Sequence, residues 1–140
     1  MRRAIKGAVV LGTLALAFGG CGISANKQKA ESAASIFHRD FNAGKFAEIF
    51  SGATPRFRST GTQADFAAYL QAVHTKLGGF KSAEPGQWRV NSTPGGTFVD
   101  LNYSSQFELG SGVESFTFLI SGEQVNLQAY NINSRELVLK

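Results

Sequence analysis

Apolar residues recur at spacings of three and four through the first half of the chain and at spacings of two through the second. That change of period predicts helices followed by strands. Ala30, Ala33, Ala34, Phe37 and Phe41 share one helical face, so a first helix should run from Ala30 to Asn42-Ala43-Gly44, where glycine can take the left-handed geometry of a helix end. Phe46, Ile49 and Phe50 predict a second, shorter helix stopped by Ser51-Gly52. The next stretch, Ala53 to Arg58, reads as extended or turn, because Thr54 precedes Pro55 and is biased away from helix. Thr62 and Asp65 resemble a capping box that opens a third helix, with Phe66, Leu70, Val73 and Leu77 on one face and Gly78-Gly79 at its end.

After Phe80 every element reads as a strand. Trp88 and Val90 share a face of the first. The turn at Pro94-Gly95-Gly96 leads into a second strand, where Val99, Leu101, Tyr103 and Phe107 point one way and Asp100, Asn102, Ser104 and Gln106 the other. Gly110-Ser111-Gly112 turns into a third strand with Phe116, Phe118 and Ile120 on one face, and Ser121-Gly122-Glu123 turns into a fourth. In that strand Val125, Leu127 and Ala129 hold one parity while Tyr130 and Ile132 hold the other, which predicts a bulge near Ala129. Helices first and an antiparallel meander afterwards give the α+β class, a curved four-stranded sheet wrapped around the first helix.

Charge changes the picture only at the amino end. The formal charge is +4, but Arg2, Arg3 and Lys6 precede the apolar run Ala8 to Phe18. A positive n-region before a short apolar stretch is the layout of a secretory signal, and the run falls well short of the roughly 20 residues a spanning helix needs. From Cys21 onward eleven Lys and Arg face ten Asp and Glu, so no basic footprint for nucleic acid remains. The remaining chain of about 120 residues suits one domain, 30–140.

Phe18-Gly19-Gly20-Cys21 resembles the lipobox of bacterial lipoproteins, with Phe18 in the slot that most often holds Leu. The resemblance implies a signal peptide over 1–20, cleavage before Cys21 and acylation of that cysteine, which anchors the protein in a membrane. Gly22 is not the Asp that the family links with inner-membrane retention, so in a cell with two membranes the expected location is the outer one, facing the periplasm. Residues 21–29 are polar beyond the cysteine and read as a short tether, in which Lys27 and Lys29 could favour anionic headgroups, with two solvated linker lysines the plainer reading.

The order of elements is similar to that of the cone-shaped superfamily of nuclear transport factor 2 and ketosteroid isomerase. The residues that carry the likeness are Gly44-Lys45-Phe46, Ala53-Thr54-Pro55-Arg56-Phe57, Leu77-Gly78 and Tyr130-Asn131-Ile132. The resemblance implies a pocket between the sheet and the long helix, which would be lined by Phe37, Phe41, Leu70, His74, Trp88, Tyr103, Phe116, Phe118 and Tyr130. It also implies dimers through the outer sheet face. It does not imply a reaction, because one fold hosts many functions.

Candidates for chemistry are His38, His74, Asp40, Asp100, Tyr103 and Tyr130. His74 borders the apolar face of the third helix and His38 lies off the Phe37 stripe; a histidine bonded to water or backbone is the plainer reading of each. Without His-x-x-x-His spacing they predict no metal site. Asp100 falls on the outer parity, and Tyr103 and Tyr130 read as core with satisfied hydroxyls. Neither a catalytic residue nor a cofactor is assigned.

On the outer face Asn102, Ser104, Gln106, Ser115, Thr117, Asn126 and Gln128 put amides and hydroxyls where a solvated sheet more often carries Lys and Glu. Such a face can meet a second copy or another envelope protein without burying charge, or it can meet only water, as antiparallel sheets commonly do. The sequence therefore predicts a lipid-anchored, non-catalytic binding module for a small apolar ligand or a protein partner. An isomerase or hydrolase using the pocket, and a purely structural envelope protein, are the alternatives.

Overall fold

The computed structural model describes residues 21–139; the expected signal peptide, 1–20, lies outside the described residues. The elements are α1 (Cys21–Asn42), α2 (Phe46–Ser51), α3 (Pro55–Arg58), α4 (Gln63–Leu77), β1 (Phe80–Thr93), β2 (Gly96–Phe107), β3 (Gly110–Ser121), β4 (Gln124–Asn133) and α5 (Arg135–Leu139). The sheet is an antiparallel meander in the order β1-β2-β3-β4. The fold is α+β, with α1 packed on one face of the open sheet.

Small residues set how closely α1 approaches. Ala30 and Ala34 are buried on its early turns, where a methyl side chain lets the helix sit near the sheet, and Phe37 and Phe41 fill the wider space further along. From the strands come Val99, Leu101, Phe107, Phe116, Phe118 and Ile120, all buried on the inner face, and α2 and α4 close the end of the core with Phe46, Ile49, Leu70, Val73 and Leu77.

The helix ends follow the sequence chemistry. Thr62 Oγ1 accepts from the Asp65 N–H at 3.1 Å, capping α4. Gly78 ends it at φ +74°, and the strand turn is laced to this end by Leu109 N–H donating to Leu77 O at 2.8 Å and Glu108 N–H to Gly79 O at 2.9 Å. Asn42 does the same for α1, since its amide both donates to Phe80 O at 3.0 Å and accepts from Phe80 N–H at 2.7 Å, which joins the helix terminus to the start of β1.

Three local expectations change. Gly22 to Lys29 is not a coil but the opening of α1, continuous with the Ala30 face. The Lys27–Glu31 pair at 2.6 Å ties successive turns, and Lys29 reaches Gly122 O at 3.3 Å and Glu123 at 3.5 Å. The segment after Thr54 is the short helix α3: Thr54 itself is extended, at ψ 155°, but its side chain caps the turn and Pro55 occupies the first helical position, where its missing N–H costs nothing. The chain also ends in α5 rather than in strand.

The predicted shift of parity in β4 is a register break between Thr117 and Phe118, with Gln128 as the extra residue. Beside it Thr54 N–H donates to Leu127 O at 2.9 Å, so the β4 edge is partly covered by the loop before α3. The β1 edge carries Lys81, Glu84, Pro85 and Arg89 and two register breaks, which discourages pairing with a further strand.

Candidate functional site

Glu114 stands on β3 two residues before Phe116 and shares its face, so strand parity points a carboxylate into the core, where it is 1% exposed. Burying a charge there is costly unless donors surround it. Three elements supply them. Ser105 Oγ on β2 donates to Oε1 at 2.5 Å, Tyr130 Oη on β4 donates to Oε2 at 2.7 Å, and His38 Nε2 on α1 lies 2.8 Å from Oε1. An ionised carboxylate only accepts, so in the ionised pair Nε2 carries the hydrogen.

The surrounding tyrosines register this charge. Burial first, then the charge of Glu114 and its hydrogen bond, hold the Tyr130 hydroxyl well above its ordinary value of 10.0. Burial, with Glu31 and Glu114 adding to it, pushes Tyr103 up to about 12. Tyr69 on α4 is also raised, chiefly by burial, against the lowering effect of its hydrogen bond with the Ile132 backbone and with the help of Glu114.

His38 is fixed by its neighbours. Its ring stacks on Phe80, centroids 3.6 Å apart and planes 3° from parallel, and meets Phe37 and Phe116 edge-on at 5.9 and 5.6 Å. A concavity of about 350 Å³ between α1 and β1 reaches His38 and Tyr103, bordered by Ser35, Arg39 and Ser82. Glu114, 1% exposed, is not among its lining residues and meets it through His38.

A buried carboxylate that orients a histidine is half of a nucleophile-activating relay. The other half has a different geometry here, because the Ser105 hydroxyl donates to the carboxylate and not to the imidazole. The arrangement holds α1, β2, β3 and β4 together around one charge.

Of the residues expected to line a pocket, Phe37, Phe116, Phe118 and Tyr130 pack on one another, while Tyr103 borders the concavity beside His38, and Trp88 and Phe116 border the one over the outer face. Phe37 lies 5.1 Å from Phe116 and 4.6 Å from Tyr130, and Phe116 stacks on Phe118 at 5.6 Å, so aromatic rings occupy the space between sheet and helix. Phe41 and Leu70 are fully buried. His74 packs against Phe41 at 5.2 Å and Phe46 at 6.5 Å, and Tyr103 is almost covered. Trp88 pairs with Leu101 and so shares the inner face, but it lies near the early turns of α1, 48% exposed, with Lys27 Nζ 5.3 Å from its ring centroid. Asp40 is held by its neighbour Arg39 at 3.1 Å.

Sequence reasoning passed over Glu114 and Ser105 and placed His38 at a boundary, whereas it is 6% exposed and bonded to a carboxylate. The signal was present in part: Glu114 has the parity of Phe116, and Ser105 that of Tyr103 and Phe107.

The outer face of the sheet is a second candidate. Ser115 Oγ donates to Asn102 Oδ1 at 2.7 Å, Thr117 Oγ1 to Asp100 Oδ1 at 2.7 Å, and Arg89 pairs with Asp100 at 2.8 Å. Ser104 and Gln106 are exposed. A concavity of about 750 Å³ runs over Arg89, Asp100, Asn102, Ser115 and Thr117. Two members of the expected face are engaged elsewhere: Gln128, displaced by the bulge, accepts from Thr54 Oγ1 at 2.7 Å, and Asn126 donates to Gly52 O at 2.9 Å. They join the β4 edge to the α2–α3 segment, so the open face is built from β2, β3 and the exposed Ala129 and Asn131 of β4.

Residues 33–130 match the family described as Protein of unknown function (DUF4019). The chain belongs to the DUF4019 family. The DUF4019 match begins in α1 and ends at Tyr130, so it takes in His38, Ser105, Glu114 and Tyr130 together with the whole outer face of β2 and β3. No curated protein matches the chain.

Proposed function

We propose that this DUF4019 protein is a lipid-anchored envelope protein, acylated at Cys21, whose cone-like domain acts as a non-catalytic binding module and meets a protein partner with the outer face of its sheet. The anchor reading rests on the Arg2-Arg3 n-region, the apolar run and Phe18-Gly19-Gly20-Cys21. The superfamily of nuclear transport factor 2 is supported by the order of helices and strands and by α1 lying across the sheet. Gly22 after the cysteine favours the outer membrane and a domain in the periplasm.

One observation carries the choice of mode: aromatic rings pack on one another between sheet and helix, while the outer sheet face stands open, with amides and hydroxyls beside Glu84 and the Arg89–Asp100 pair. Its central ion pair, Arg89 with Asp100, is neutral as a unit. Two copies can therefore face each other largely through amides and hydroxyls, with Glu84 beside Ser104 as the exposed carboxylate on that face. β2 and β3 with the open part of β4, strands about 4.8 Å apart and about ten residues long, offer on the order of 500 Å², below the roughly 800 Å² each partner contributes to a standard interface and in the range of a weak, transient one. A second copy is the partner that this face fits first.

Sedimentation equilibrium tests it. The unaltered protein should show a dimer that Ser104→Lys with Asn131→Lys shifts to monomer, whereas one unchanged mass for both proteins counts against the dimer.

The enzyme alternative is favoured by one observation, the Glu114–His38 pair beneath an open concavity. It requires a turnover that His38→Gln abolishes while the fold survives.

A further inference from the structure

The direction of α1 over β1 determines which end of the domain looks toward an anchored Cys21. Asn42, at the end of α1, bonds Phe80 at the start of β1, while Lys27, near the beginning of α1, covers Trp88 further along that strand. Travelling along β1 from Phe80 to Trp88 is therefore travelling back along α1 toward Cys21. Beyond this point the helix continues for six residues, a rise of about 9 Å. The β1–β2 hairpin continues for five more residues to its turn, about 17 Å of strand. The hairpin tip thus reaches at least as far as the anchored residue.

The composition of that tip suits a bilayer boundary. From Val90 to Val99 the chain reads Val-Asn-Ser-Thr-Pro-Gly-Gly-Thr-Phe-Val and carries no charge, and Phe98 is only half-buried. Trp88 and Ile23 add two large exposed apolar side chains near Lys27. Tryptophan prefers the headgroup level, where its ring is wet at one end and apolar at the other. Lys27 and Lys29 already have Glu31 and Glu123 as partners, so the attraction does not depend on anionic lipid.

We propose that Trp88 and the uncharged β1–β2 hairpin tip form a seating surface against the phospholipid bilayer interface. The proposal rests on acylation at Cys21. A headgroup layer is about 5–8 Å deep, so with Cys21 at its inner boundary the first turns of α1 lie within it, the hairpin tip crosses it, and Trp88 sits at its outer limit among the headgroups.

The protein contains one tryptophan, which makes the test direct. The full-length chain is expressed in a bacterium, purified, and its Cys21 peptide weighed. It is then reconstituted into phosphatidylcholine vesicles with and without a nitroxide quencher on the lipid headgroup. Trp88 emission should fall at least twofold in the vesicles with headgroup nitroxide, and its quenching by aqueous acrylamide should fall compared with protein in detergent. A reporter moved to the opposite end, Leu109→Trp in a Trp88→Phe background, should keep its emission. Adding charge at the tip, Ser92→Glu with Thr97→Glu, should restore most of the Trp88 emission.

Acylated protein whose Trp88 is not quenched, or is quenched no more than the Leu109→Trp reporter, overturns the seating surface and leaves the anchor standing. A Cys21 peptide without acyl mass overturns both.

Discussion

Glu114 accepts hydrogen from Ser105 and Tyr130 and pairs with His38 while 1% exposed, so each of its neighbours depends on it. Removing one member of a buried charged pair leaves the others unsatisfied, at a cost of about 3–5 kcal/mol. Glu114→Ala should lower the unfolding free energy by that order, read from the urea midpoint, whereas Ile36→Ala at an exposed helix position should stay within about 0.5 kcal/mol. A pH dependence belongs to the same cluster. Tyr130, Tyr103 and Tyr69 have folded values above the ordinary 10.0, so the folded state holds their protons more tightly than the unfolded chain does. That contribution is complete below pH 10 and is lost as pH rises above it, for Tyr103 over the interval up to about 12. Urea midpoints should therefore decline from pH 10 upward, and Tyr130→Phe should flatten the decline. In the sequence, parity alone gives the direction of Glu114. Its burial follows from a histidine 76 residues away on another element, and no local pattern carries that.

At the scale of elements, periodicity and end chemistry were read directly: the Thr62 cap, the Gly78 stop and the extra residue in β4 all rest on local rules that tertiary packing leaves intact. Where the reading differed, packing or capping decided. Gly22 to Lys29 has no apolar stripe of its own and is helical as the extension of a helix nucleated by the buried turns after it, with the Lys27–Glu31 pair added. Thr54 was placed correctly outside a helix, yet the same residue caps the turn that follows. Two substitutions test the packing argument. Ala30→Leu puts a large side chain where α1 lies closest to the sheet and should cost about 1–3 kcal/mol in a urea titration. Gly78→Ala combines a left-handed residue with a new Cβ 2.8 Å from Glu108 Cβ, and should cost at least about 1–2 kcal/mol.

For the whole molecule, the proposals fit one arrangement. An anchored Cys21 and a seated β1–β2 hairpin would stand the sheet upright on the membrane, with its outer face turned sideways toward neighbours in the envelope. The class and order of elements were legible because helix and strand periods are separated along the chain. The packing of the inner aromatic rings was not, because a pattern of inward rings does not say whether they enclose a cavity or touch, and here Phe37, Phe116 and Tyr130 touch. That contact shifts the reading from a small apolar ligand to a protein partner. The most direct test is in-cell photo-crosslinking, with a benzophenone amino acid placed in turn at Ser104, Asn131 and, as a control away from the sheet, Lys45. The account predicts protein-sized adducts at Ser104 and Asn131, at twice the chain mass for a second copy, and none at Lys45. Adducts absent from both sheet positions, or equally strong at all three, would contradict it.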